Sequence, residues 1–195
     1  EVDATYQTSV PDVFAVGDAI VVQNQVSGKA DLISLASPAN RQGRQVADNL
    51  VGLPRRNRGS LGTAIVRVFD LSAAVTGLNE AALQAQQLPY RAVHYRGEDH
   101  ASYFPGGKPM VLKLLFNPQT GRLYGAQGVG SGVDKRIDVL ATAIKGHLTV
   151  ADLPELELSY APPFNSAKDP VNLVGDMALN IVDGLSDNLQ WSALK

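Results

Sequence analysis

The sequence predicts an α+β fold: a C-terminal domain with a mainly antiparallel sheet and helices, preceded by a remnant strand and helix of an α/β domain. Three observations predict it. An apolar run, Val13-Phe14-Ala15-Val16, stops at Gly17-Asp18 and is followed by a helical pattern. The second half holds several strand-like segments, two of which meet through a tight turn at 117–121. Among 195 residues, 45% are hydrophobic and 18% charged, enough for a buried core in one domain or one domain plus part of another.

The elements follow in order. A short apolar run bounded by turn residues reads as a buried strand, here 13–16. The polar stretch 23–31 reads as a loop. Ser37-Pro38 reads as an N-cap followed by proline at the first helical position, opening a helix that stops near Gly52. The stretch 53–60, with Pro54, Gly59 and three arginines, reads as a linker, and a domain boundary is placed there. Strands are expected over 63–69, 71–76 and 90–95, with a short helix opened by Asn79-Glu80 between the last two. The segments 110–116 and 122–129 read as a hairpin, because Pro118 and Gly121 suit its five-residue loop.

Ile137, Leu140, Ala141 and Ile144 place one apolar face on a helix over 134–145. Thr149 is read as the cap of a short helix. Asp169-Pro170 opens a last helix, with Val171, Val174, Met177, Ala178, Ile181 and Val182 at helical spacing and Gly184 at its end. The tail 185–195 is polar apart from Leu189, Trp191 and Leu194.

Composition excludes several functions. Seventeen basic against nineteen acidic residues give a net charge of −2, which argues against a nucleic-acid platform. With no cysteine, the chain has no disulfide, thiolate metal site or cysteine nucleophile of its own. No metal site is expected. No apolar run is long enough to cross a bilayer and no signal peptide opens the chain, so a cytoplasmic protein is expected. The chain opens on Glu1 and runs into a buried-type strand with no unit before it, so an N-terminal part is expected to be missing.

The strand end carries chemistry. A glycine there lets a ligand approach the backbone, and a carboxylate accepts hydrogen bonds from sugar-type hydroxyls. A strand followed by Gly-Asp is common by itself. The longer string Thr8-Ser9-Val10-Pro11-Asp12-Val13-Phe14-Ala15-Val16-Gly17-Asp18 resembles the second flavin-binding motif of the FAD-dependent pyridine nucleotide-disulfide oxidoreductases. That resemblance implies FAD, with Gly17 and Asp18 at its ribityl chain. The stretch from Ile33 through Ala36 and Asn40 to Arg44 is similar to the family's helix that aims its N-terminus at the isoalloxazine ring. Free amides and the helix dipole at that end stabilise negative charge on reduced flavin. The resemblance implies a backbone contact near Ala36.

The branch is read further along. The His-Pro-Thr motif of the glutathione-reductase branch is absent, and His94, His100 and His147 do not replace it. In its place stands Leu158-Ser159-Tyr160-Ala161-Pro162-Pro163-Phe164-Asn165-Ser166-Ala167-Lys168-Asp169-Pro170. This resembles the signature of coenzyme A-disulfide reductases and the related NADH-dependent persulfide reductases. The resemblance implies that Tyr160 reaches across a homodimer interface toward the partner's flavin and active-site sulfur. It implies that Lys168 contacts coenzyme A, that Tyr103 in Ala101-Ser102-Tyr103-Phe104-Pro105-Gly106 also approaches the sulfur, and that Asn40 is a further coenzyme A contact. A tyrosine hydroxyl can donate to a thiolate, an ammonium can pair with phosphate, and Pro162-Pro163 stiffens the loop. By residue type alone, Tyr103 stays open as an ordinary loop aromatic and Lys168 as a solvated cation.

The resemblance also covers 59–70, like the start of the family's dimerisation domain, and 132–138, like its late helix start. It divides the chain into the end of an FAD-binding domain (1–53), a dimerisation domain (54–184) and a tail (185–195) like a linker toward a rhodanese domain. It implies a parent that passes electrons from NAD(P)H through FAD to coenzyme A disulfide, persulfide or polysulfide. The fragment alone is expected to be inactive and to bind flavin weakly or not at all. An NADH oxidase or peroxidase of the same superfamily, or a non-catalytic dimerisation module, are the competing expectations.

Overall fold

The structure, a computed structural model, describes residues 1–190. The chain divides into two compact units, Glu1–Gly62 and Thr63–Lys195.

In the first unit the run 13–16 is not the buried strand expected. Phe14 makes a single antiparallel bridge to Gln7, Val13 is exposed, and Phe14, Ala15 and Val16 are only half-buried. The backbone partners of the run are on one side: Thr8 N donates to Val13 O (2.8 Å) and Ala15 N to Tyr6 O (3.0 Å). A strand is buried only when both edges and a face are covered, and one turn at 6–8 does neither. A second correction concerns 23–31. Here β1 (Val22–Gln23) and β2 (Ala30–Asp31) pair antiparallel. Asn24 closes the turn between them, its Oδ1 accepting from Val26 N (3.0 Å) and Ser27 N (3.2 Å).

Helix α1 (Ala36–Leu50) starts earlier than expected. Leu35 is the flanking residue, and Ser37 lies inside the first turn without making a cap bond. Pro38 fits there because the first amides of a helix have no partner inside it. The small core of the unit is Tyr6, Ile20 and Val22, with Val2, Phe14, Ala15, Val16, Ile33 and Val46 packed against it.

The second unit is a five-stranded sheet with helices. Its strands are β3 (Ala64–Val68), β4 (Leu71–Gly77), β5 (Arg91–Glu98), β6 (Pro109–Phe116) and β7 (Leu123–Gly130), in the order β3-β4-β7-β6-β5, all antiparallel. Helix α2 (Glu80–Ala85) follows β4, with Asn79 accepting from Ala82 N at 2.8 Å as the expected cap. The β6–β7 turn is the expected hairpin. Asn117 Oδ1 accepts from the amides of Gln119 (2.8 Å) and Thr120 (3.0 Å), holding the loop from inside.

Helix α3 (Val133–Lys145) packs on β4 and β7, and α4 (Pro170–Val182) packs on β5 and β6. Met110, Leu112 and Leu114 of β6, with Leu115 and Phe116 beyond them, are completely buried. Removing such side chains from water contributes about 1.5–3 kcal/mol each. Opposite positions share a sheet face, so Val111, Val129, Ala73 and Val66 form one row across four strands. Val111, Val129 and Val66 are exposed, leaving an apolar row open on the side away from the core.

Two further expectations need correcting. Thr149 does not cap a helix. Its backbone N (2.6 Å) and hydroxyl (2.8 Å) both donate to Asp152, and only one 3₁₀ turn, Leu153–Glu155, follows. A carboxylate three residues on outcompetes the backbone for those donors. In α3 the buried stripe is Val133, Arg136, Ile137, Leu140, Ala143 and Ile144, with Ala141 only half-buried. Asp169 does cap α4: its side chain accepts from Val171 N (2.8 Å) and from the Asn172 backbone amide, and Asn172 Oδ1 accepts in turn from Asp169 N at 2.9 Å, a capping box. Trp191 and Leu194, noted in the tail, lie outside the described residues. Gln190 lies along the β5 edge, its side chain bonded to both Ala92 N and Ala92 O at 3.3 Å.

Candidate functional site

Each unit carries its own group of candidate residues. In the first unit, the chain leaves the run 13–16 at Gly17 and makes a single 3₁₀ turn, Gly17–Ala19. Gly17 has φ +71, and a Cβ placed on it would lie 3.4 Å from Ala39 Cβ. A side chain would therefore be strained in conformation and tight in space. The Gly17 amide donates to Gln42 Oε1 at 2.7 Å, and Gln42 is buried on α1. That bond fixes the turn beside the first half of α1. Asp18 is exposed and has no hydrogen bond or ion pair among the described residues.

The start of α1 is electrostatically bare. Ala36 and Ser37 present amides with no partner inside the helix, Leu35 supplies no side-chain cap, and the first turn holds no acidic residue. This end carries the positive pole of the helix dipole uncompensated. An uncommitted carboxylate, a glycine open to close approach and free amides match a polyol chain and an anionic ring edge. The residues present therefore fit a flavin: Gly17 and Asp18 would hold its ribityl chain, and Ala36 would face the ring. Asn40 lies exposed one turn into α1.

In the second unit, Tyr103 and Tyr160 meet. Their hydroxyls are 2.8 Å apart, although 57 residues separate them. Tyr103 stands in the loop between β5 and β6. That loop is closed by Asp99 N to Lys108 O (3.0 Å) and Lys108 N to Asp99 Oδ1 (3.0 Å), and His100 packs edge-on against Phe104. Tyr160 stands in the irregular stretch between the 3₁₀ turn and α4. There Pro162 and Pro163 fill a turn closed by Phe164 N and Asn165 N on Ala161 O (2.9 and 3.1 Å). The two loops are bonded to each other through Ala101 N and Asn165 O at 3.1 Å.

Both tyrosines are exposed, Tyr103 at 72% and Tyr160 at 45%. The hydrogen bond to Tyr160, with a smaller contribution from burial, holds the Tyr103 hydroxyl above the ordinary tyrosine value. At neutral pH that hydroxyl keeps its proton. Whichever tyrosine donates to the other, the accepting hydroxyl retains its own O–H for an outside acceptor. The pair is thus a proton and hydrogen-bond donor facing solvent.

Residues 63–170 match the family model described as the pyridine nucleotide-disulphide oxidoreductase dimerisation domain. The chain belongs to this family. The chain is 36% identical, over 89% of its length, to the coenzyme A disulfide reductase of Staphylococcus epidermidis, of which it covers 40%. Among solved structures it is similar to the reduced CoADR-RHD of Bacillus anthracis, with 53% identity and a TM-score of 0.96, covering 99% of this chain and 35% of that one. It is also similar to the NAD-dependent persulfide reductase of A. fulgidus, with 38% identity and a TM-score of 0.94, covering 99% and 36%. The chain thus spans about two-fifths of the length of the curated relatives it matches.

Lys168 is exposed and donates to Asp176 Oδ2 at 2.8 Å. An exposed pair of this kind contributes about 0–1 kcal/mol, so a phosphate can compete for the ammonium. Among the described residues there is no group of His, Cys, Asp and Glu able to hold a metal, and no helix long and apolar enough to cross a membrane.

Two groups escaped the sequence reading. Gln42 is one, because nothing in a helical pattern says that a buried glutamine reaches Gly17. The other is a polar cluster beneath the tyrosines, centred on Arg136, with Asn165 and Asp169. A signal existed: Arg136 sits at i+3 from Val133 and i−4 from Leu140, on the apolar stripe of α3, where an arginine needs partners.

Proposed function

We propose that this chain is the C-terminal part of an FAD- and NAD(P)H-dependent reductase whose substrate is coenzyme A disulfide, a persulfide or a polysulfide. The tyrosine pair carries the reading: two exposed hydroxyls in hydrogen-bond contact, on loops tied to each other, suit donation to a sulfur anion. The 36% identity to a coenzyme A disulfide reductase supports the substrate class.

FAD, when bound, supplies the relay of two electrons between NAD(P)H and sulfur. Gly17 and Asp18 would grip its ribityl chain, and the Ala36 end of α1 would stabilise negative charge on its ring. Since the chain contains no cysteine, the redox-active sulfur belongs elsewhere in the working enzyme. Attack of the redox-active thiolate on the substrate forms a mixed disulfide, breaks the substrate's S–S bond and releases one thiolate. Tyr160, with Tyr103 behind it, holds that thiolate by a hydrogen bond or gives it a proton, and the proton is restored from solvent. Lys168 and Asn40 would bind coenzyme A, the lysine as a point charge for phosphate.

The match to a dimerisation domain supports a homodimer in which Tyr160 serves the partner's flavin. The open apolar row on the sheet supports burial of that face in the assembled enzyme. Division into the end of a flavin domain, a dimerisation domain and a tail toward a further domain is part of the same proposal.

In the complete enzyme, Tyr160→Phe should slow disulfide reduction about 10-fold or more while flavin content stays intact. Equal turnover of variant and wild type refutes the role. Asp18→Ala should lower the FAD retained per subunit, and unchanged stoichiometry after purification rejects the ribityl assignment.

A further inference from the structure

Beneath the tyrosine pair lies a buried guanidinium. Arg136 is 2% exposed, and Asp169 beside it is 1% exposed. Arg136 Nε donates to Asp169 Oδ2 at 3.1 Å, and Nη2 donates to Asn165 Oδ1 at 3.0 Å and to the Asp99 carbonyl at 2.8 Å. Nη1 donates to the Gly132 carbonyl at 3.1 Å. Lys135 Nζ stands farther from Asp169, at 3.9 Å.

Three of these partners, Asp99, Asn165 and Asp169, belong to segments that carry a candidate residue. Asp99 begins the Tyr103 loop. Asn165 ends the Tyr160 turn, and its Nδ2 donates to Ser159 O at 3.3 Å, one residue from Tyr160. Asp169 follows Lys168 and caps α4. The side chain of one residue on a rigid helix thus bonds to the bases of both tyrosine loops and to the helix start beyond them.

The surroundings are shaped for this side chain. Gly132 has φ +66, and a Cβ on it would come within 2.5 Å of Arg136 Nη1. A buried ion pair is poor value as stability, because desolvation offsets much of the attraction. Its geometric effect is larger: the planar fork fixes several acceptors in fixed directions. The Tyr103 loop is closed at its base between Asp99 and Lys108, but residues 100–107 and 156–168 form no strand of their own, so the spacing of the hydroxyls depends on such ties.

We propose that Arg136 is a positioning residue for the Tyr103–Tyr160 pair, setting the contact of the two hydroxyls through Asp99, Asn165 and Asp169. This rests on the reading of that pair as the donor to sulfur, but its test does not require it.

The experiment is NMR titration of the full chain carrying ring-labelled tyrosine, with the Tyr103 signal assigned through Tyr103→Phe. Wild type and Tyr160→Phe give the two references, with and without the hydroxyl contact. Arg136→Lys keeps the charge and loses the fork. Asn165→Ala keeps the Arg136–Asp169 pair and loses the tie to Ser159. In both variants, Tyr103 should titrate lower than in wild type, close to its value in Tyr160→Phe, while the chain still melts cooperatively.

An unchanged Tyr103 titration in a variant that folds overturns the proposal. So does loss of folding in both variants, which would make Arg136 a structural residue only. In the complete enzyme, Arg136→Lys should lower kcat by about the same factor as Tyr160→Phe, with KM for the disulfide unchanged. If Tyr160→Phe leaves turnover intact, the sulfur-donor reading fails, and Arg136 is judged by the titration alone.

Discussion

The two units hold their candidate residues on different foundations. In Glu1–Gly62 the helix α1 buries Pro38, Gln42 and Asp48. In Thr63–Lys195 the helix α3 buries Val133, Ile137, Leu140, Ala143 and Ile144 beside its one arginine. The first unit joins its small apolar core to several side-chain hydrogen bonds: the Gly17 amide to Gln42, Tyr6 to Gln45, and Arg44 and Arg55 to Asp48. The second stands on a sheet whose core-facing side chains on β6, Met110, Leu112 and Leu114, are completely buried.

Hydrogen bonds exchange protein partners for water and contribute about 0.5–1.5 kcal/mol each, whereas apolar burial accumulates with area. The contrast teaches that the candidate residues of the first unit rest on a few polar contacts, whereas the tyrosine loops spring from an apolar sheet and are tied to one another by polar bonds at their bases.

The largest effect expected from that contrast is in the core. Leu114→Ala should cost about 2–5 kcal/mol in urea unfolding, because a completely buried strand residue leaves a cavity. Ile20→Ala, in the small cluster of the first unit, should fall at the low end, about 2 kcal/mol, since beyond Tyr6 and Val22 the side chains packed on the cluster are only partly buried and can close in. Equal losses would break the comparison.

A smaller and more local effect is expected at Gln42. Replacing it with alanine leaves the Gly17 amide without its acceptor, at a cost of about 1–3 kcal/mol. Amide exchange should rise around 14–20 and stay unchanged in β6. If exchange in β6 rises equally, the two units share one unfolding transition.

The smallest effect is electrostatic. Hydrogen bonding to Lys113, working against partial burial, holds Glu80 below its ordinary value of 4.5. A carboxylate depressed in the folded state stabilises fully above that ordinary value, and the contribution fades as pH falls through the folded value. Urea midpoints should therefore drop between about pH 5 and 3, by about 1 kcal/mol or less for this partly exposed pair. Glu80→Gln should flatten that part of the profile. In the first unit the hydrogen bond from Arg44, with help from Arg55, depresses Asp48 in the same direction. An Asp48→Asn variant with an unaltered acid limb would show that this pair does not hold the unit together.

Much of the fold was legible because its signals are local. Asn79 and Asp169 announce helix starts within four residues of their partners, and the 117–121 turn is closed by its own Asn117. The apolar stripes of α3 and α4 follow from the geometry of the helix. Where local reading failed, a competing partner decided. Asp152 took the Thr149 donors, and the run 13–16 found only a turn to pair with.

The candidate site divides in the same way. Residue types and their resemblance to a known motif pointed to Asp18, Ala36, Tyr103, Tyr160 and Lys168 one at a time. The sequence by itself determined most elements of the second unit, the Asn79 and Asp169 caps and the 117–121 turn, since propensity and capping act over a few positions. Only the tertiary structure decided that the hydroxyls of Tyr103 and Tyr160 touch, that Gln42 reaches Gly17, and that Arg136 gathers Asp99, Asn165 and Asp169. Those contacts join residues 25 to 57 positions apart, and bringing them together depends on packing the whole chain.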